Sequence, residues 1–189
     1  VAGLKVGITG EKGDFEWHWE IEKIEENLEI LIITLHSPQA SVPPSFSLKW
    51  SLPAHNIAGF WSVTAGYRKI VTPSWGPSRV SSMLAYSAPV FALFGHNDLN
   101  RLTVAVSDAL RTLRLSCGLK EEDGRVYCRI DFFTEKERRL KNYKVEIRFD
   151  RRPRPFYQAL QKTASWWAEH PGYKPAPCPD LAKWPMYST

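Results

Sequence analysis

Polar and apolar residues alternate along most of the first 150 residues. The pattern is densest in residues 88–119, APVFALFGHNDLNRLTVAVSDALRTLRLSCGL. There, residues 101–107 alternate, and Leu110, Thr112, Arg114 and Leu115 extend a second run. Period-2 alternation sends one row of side chains into a core and the other into solvent. His96, Asn97 and Asp98, and then Asp108 and Ala109, read as turns between the runs. The stretch predicts antiparallel strands.

Similar runs flank it on both sides. Residues 4–8 form a short apolar strand. Phe15, Trp17, Trp19 and Ile21, with Ile24 out of step, alternate with Glu16, His18, Glu20 and Glu22, which predicts a half-buried strand. Glu25, Glu26 and Asn27 read as a turn, and residues 28–35 as a more continuous apolar strand that completes a hairpin. Residues 37–45 are Pro/Ser-rich and read as a loop. Phe46, Leu48 and Trp50 alternate again, and residues 80–85 and 89–94 continue the strands. A turn at residues 121–124 precedes Val126, Cys128, Ile130 and Phe132, with Asp131 in an outward position. Tyr143, Val145, Ile147 and Phe149 then alternate with Lys144, Glu146 and Arg148. Short turns between strands, with no helical period among them, predict an all-β fold: a large antiparallel β-sandwich over residues 1–150.

The period changes at Arg151. Phe156, Leu160, Thr163 and Trp167 recur at spacings of three and four, which predicts an amphipathic helix in residues 155–170. Pro171 and Gly172 end it, so residues 151–172 form a helical unit packing on or beside the sandwich. Residues 173–189 carry four prolines and read as a linker toward a further domain. Residues 53–77 show little periodicity and hold His55, Asn56, Trp61 and Trp75. A loop of that length is the part of the chain expected to meet a ligand or another domain.

With 189 residues and 21.7 kDa, the chain is long enough to bury about 70% of its unfolded surface in one domain. Aromatic residues make up 13% of it, with 8 Trp, which suits either a thick strand core or sugar-stacking surfaces. The net charge of +5 does not point to nucleic acid, because the basic residues are interleaved with acids, as in residues 135–139. The densest basic run, Arg151, Arg152 and Arg154 around Pro153, reads as a solvated strand–helix junction.

The three cysteines cannot all pair and no C-x-x-C is present, so neither a disulfide framework nor a metal site is expected. No cofactor motif appears. No apolar run approaches the roughly 20 residues of a membrane span. No signal peptide is visible, which predicts a cytoplasmic protein. Secretion stays open because the chain begins at Val1 without Met.

The five histidines show no ligand spacing, and of these His55 and His96 sit in loops. Glycosidic cleavage needs two carboxyl groups flanking the scissile bond. Asp98, Asp108 and Asp131 are the candidates outside solvated acidic faces, but the first two read as turn residues and the third as outward. No catalytic residue is assigned.

Ser87-Ala88-Pro89, the run Asn100-Arg101-Leu102-Thr103-Val104-Ala105-Val106-Ser107-Asp108 and the ending Pro185-Met186-Tyr187-Ser188-Thr189 carry a resemblance. Over residues 20–189 the chain resembles the N-terminal domain of glycoside hydrolase family 36, the α-galactosidase family. The resemblance implies a supersandwich that packs on a following (β/α)8 barrel. That barrel carries the two aspartates that hydrolyse terminal α-galactosides with retention, so the present chain should be inert alone. A homo-oligomeric parent is left open.

Sandwiches of this family lend an aromatic residue to the rim of the sugar site. Trp61, in Gly59-Phe60-Trp61 after His55 and Asn56, is the best match, with Trp75 a second candidate. The family often shows an acid near Asn56, so a hydroxyl-binding role for Asn56 does not follow from the likeness. Physically, an indole face stacks on the C–H face of a pyranose and its N–H donates to a hydroxyl. The opposing expectation is that Trp61 and Trp75 only pack. Three competitors stand beside this reading. One is a stand-alone carbohydrate-binding module with an exposed aromatic platform. Another is a galactose mutarotase-type epimerase, which needs a His and a Glu converging in a concave sheet face. The third is a plain structural domain.

Overall fold

The computed structural model describes residues 5–8, 13–63, 68–70, 78–81, 88–108, 113–133 and 137–170, and for 5–8, 68–70 and 78–81 only the strand path. Trp75 and the Pro-rich residues 173–189 lie outside the described residues. Among these the chain forms β1 (Lys5–Ile8), β2 (Glu16–Glu25), β3 (Leu28–Ser41), β4 (Phe46–Pro53), β5 (Gly59–Ser62), β6 (Arg68–Ile70), β7 (Ser78–Ser81), β8 (Val90–Phe94), β9 (Asn100–Asp108), β10 (Leu113–Lys120), β11 (Arg125–Phe132), β12 (Leu140–Asp150) and the helix α1 (Phe156–Glu169).

Two antiparallel sheets make a β-sandwich. One has the order β1-β4-β11-β10-β7 and the other β2-β3-β12-β9-β8-β5-β6. The alternating apolar rows meet between them. Leu31, Ile33 and Leu35 from β3, Leu102, Val104 and Val106 from β9, and Val145, Ile147 and Phe149 from β12 face Leu48, Trp50, Leu115, Ile130 and Phe132 of the other sheet in one continuous core. Trp17 stands edge-on to Phe46, and Phe46 stacks on Phe132 with ring centroids 4.4 Å apart.

The hairpin turn at residues 25–28 is as the sequence predicts, with Asn27 at φ 63°, a conformation that asparagine tolerates. Other expectations need correcting. The Pro/Ser-rich stretch is mostly strand, because β3 runs to Ser41 and carries Pro38 through a register shift against β12. Residues 53–77 are not one loop: they contain β5 and β6, strands too short to show a period.

β2 forms, but it is not half-buried. Trp19 and Ile21 point to the core side yet remain 60% and 49% exposed, since β2 edges the wider sheet, beyond the reach of its facing partner. Asp108 is no turn residue. It is the last residue of β9, fully buried, and accepts a hydrogen bond from the Tyr143 hydroxyl at 3.2 Å.

The outward row of β9 does not meet solvent past Arg101. Thr103, Ala105 and Ser107 are buried, because α1 lies across the outer face of β8 and β9. The helix has the extent its period predicts and packs against the sheet. Phe156 stacks on Phe94 at 4.5 Å, in a small outer cluster with Ala92, Trp61 and Leu160. The Trp167 indole donates to the Val106 carbonyl at 3.2 Å.

The junction before the helix is not wholly solvated either. Arg148, Asp150 and Arg152 are buried, and Asp150 accepts from both guanidiniums, from Arg148 at 2.9 Å and from Arg152 at 2.6 Å. Arg148 also donates to Thr163 of α1 at 2.8 Å. Of the charge run only Arg152 is buried, while Arg151 and Arg154 stay part-exposed; the buried clamp consists of Arg148, Asp150 and Arg152, and Arg148 ties it to α1.

Candidate functional site

The strand registers carry five connections to one end of the sandwich: residues 25–28, 53–59, 94–100, 120–125 and 150–156. His55 and Asn56 are exposed there, in a 3-10 turn over Ala54–Asn56. Asn56 Nδ2 lies 2.9 Å from His55 Nε2, within hydrogen-bond distance. Arg101, at the start of β9, donates from Nε to the Asn56 carbonyl at 3.1 Å and pins the turn. His96 and Asn97 are also exposed at this end, with Asn97 and Asp98 at positive φ.

Trp61 belongs elsewhere. It sits on β5 directly opposite Ala92, on the outer face of the seven-stranded sheet. There it is half-buried against the cluster under α1. Trp61 therefore lines the helix side of the sheet, while His55 and Asn56 cap its end. The indole is part-buried, so the packing expected of Trp61 is present.

Among the described residues the buried aspartates are all engaged. Asp131 faces outward on β11, as its alternation predicts, yet is only 4% exposed, because it lies between Arg129 and Arg114, the latter at 3.0 Å. Asp150 is held by its two arginines and Asp108 by Tyr143. Burial opposes ionisation of Asp150, but hydrogen bonds from the Arg152 side chain and backbone, with the charges of Arg148 and Arg152, hold its carboxyl below the ordinary value. Among the described residues no group of three or more His, Cys, Asp or Glu is placed to hold a metal ion.

One cluster was not legible in the sequence. His170, the residue that ends α1, approaches Glu146 at 3.3 Å, and Ser107 lies beneath it. No spacing pattern signals this, because the three residues come from β9, β12 and the helix end. The Ser107 hydroxyl is 3.3 Å and 3.2 Å from the two ring nitrogens, so it faces the edge between them or the ring plane rather than one lone pair. That placement does not make a nucleophile–base pair. His170 and Glu146 also touch directly, which leaves no room for a sugar ring between them, as a mutarotase-type mechanism requires.

Cys117 and Cys128 are free, buried and directly opposite each other on β10 and β11, with Sγ atoms 3.4 Å apart. Burial pushes the Cys117 thiol up, which disfavours its thiolate, and both side chains pack in the core.

The class that this geometry defines is an antiparallel β-sandwich with a helix clamped to one sheet. No family model matches the chain, and no curated protein does. No helix of the described residues is long and apolar enough to cross a membrane.

Proposed function

We propose that this chain is a non-catalytic β-sandwich domain of an α-galactosidase-like glycoside hydrolase, which seats a catalytic barrel and lends Trp61 to the rim of the sugar site. The family assignment rests on the sequence resemblance. The observation that carries the non-catalytic part is the engagement of Asp108, Asp131 and Asp150 by a tyrosine or by arginines. An acid held between two guanidiniums is a poor proton donor and a poor nucleophile. Trp19 and Ile21, neighbours on one face of β2 and 60% and 49% exposed, support a partner surface, since apolar side chains clustered in the open mark contacts with another body.

The test uses the chain joined to its barrel. Trp61→Ala should raise KM for an aryl α-galactoside about tenfold, the loss of one stacking contact, and Trp61→Phe should restore most of it. If Trp61→Ala lowers thermal stability and leaves KM where it was, Trp61 is a packing residue and the rim role fails.

A further inference from the structure

The outer face of the five-stranded sheet, opposite to the helix, holds a depression of about 420 Å³, within the roughly 300–1,000 Å³ range of small-molecule sites. The strand register builds it in lateral rows. Lys49, Arg129 and Ser116 lie side by side, and Ser51, Tyr127 and Gly118 form the next row. Gly118 has no side chain to fill the space opposite Tyr127, and Ser116 is small, so β10 leaves a trough beside the larger residues of β11. Tyr127 is 41% exposed, and its hydroxyl donates to Asp123, which fixes the ring. Lys120 Nζ lies 5.6 Å from the centre of that ring.

The charge balance is one-sided. Asp131 is shared by Arg114 and Arg129, so these three groups together keep one positive charge. Lys49 and Lys120 add two more at the rim. Arg125 donates from its guanidinium to the Ser51 hydroxyl and carbonyl and from its backbone N–H to Asp123, so the charges of Arg125 and Asp123 offset and the surplus at the rim remains positive. A fixed aromatic face beside a surplus of cations suits a ligand with an apolar ring face and a negative group.

We propose that this depression binds an anionic sugar, a monosaccharide unit carrying a carboxylate or a phosphate. Tyr127 stacks on the ring, and Lys49, Lys120 and Arg129 hold the anion. The site lies on the sheet opposite to Trp61 and does not depend on the α-galactosidase reading.

The experiment is an NMR or calorimetric titration of the protein with galacturonate, galactose 6-phosphate, neutral galactose and inorganic phosphate. At least one acidic sugar should bind about tenfold or more tightly than galactose, and which one it is names the anion. Raised salt should weaken that binding. The double variant Lys49→Ala/Lys120→Ala should lose about tenfold for the acidic sugar. Tyr127→Ala should lose affinity for the sugar while phosphate binding is unchanged. Both changes are on the surface, so the fold is expected to survive, and a thermal melt checks it. Equal binding of galactose and its acidic forms, no binding of any of them, or full affinity in the lysine double variant would each overturn the proposal. Phosphate bound as tightly as galactose 6-phosphate, with Tyr127→Ala silent, would overturn the sugar part.

Discussion

Asp150 is fully buried and faces two guanidiniums, one of which, Arg148, is itself 4% exposed. Replacing the carboxylate leaves a buried cation with nothing to neutralise it. Asp150→Asn should therefore cost about 3–5 kcal/mol, read as a lower urea midpoint at unchanged slope. The carboxyl is held below its ordinary value of 3.8, so its contribution to stability is complete above that pH and fades as pH falls through the lower, folded-state value. The difference in unfolding free energy between the wild type and Asp150→Asn should thus be constant from neutral pH down to about 4 and shrink below it. A difference that is already small at neutral pH would mean that the clamp is not what holds the helix. The sequence displayed these charges but not their burial. Arg151, Arg152 and Arg154 around a proline look the same in sequence, yet Arg152 is buried against Asp150 and Glu25 while Arg151 and Arg154 stay part-exposed, and only the tertiary packing decides between them.

At the scale of elements, the outer cluster under α1 depends on a glycine. A Cβ at Gly59 would lie 2.2 Å from the Phe94 ring, which is buried and stacked on Phe156. Gly59→Ala should displace Phe94 from its stack on Phe156 and cost about 1–3 kcal/mol, measured by urea unfolding. Unchanged stability would show that the stack does not secure the helix. The long strands and α1 were legible because their periods persist over many residues, as in β9, β11 and β12. The short strands β5 and β6 were not, since three or four residues carry no period and the sheet, not local preference, recruits them. Alternation in β2 correctly gave a strand but not its burial. A two-residue period says which side chains share a face, and only the width of the opposite sheet says whether that face is covered.

Across the molecule, the sequence named candidate residues but did not show where the fold puts them. Trp61, His55 and Asn56 are neighbours in sequence, yet the chain crosses from one sheet to the other between β4 and β5, so the turn caps the sandwich while the indole lies on its outer face. In the proposed function the buried aspartates, each with its own structural partner, belong to a scaffold, and the reactive acids belong to a catalytic barrel. The direct test is release of nitrophenol from an aryl α-galactoside by the 189-residue chain alone and by the chain joined to that barrel. The account predicts background release from the chain alone and turnover from the joined protein. Sustained turnover by the chain alone would contradict it.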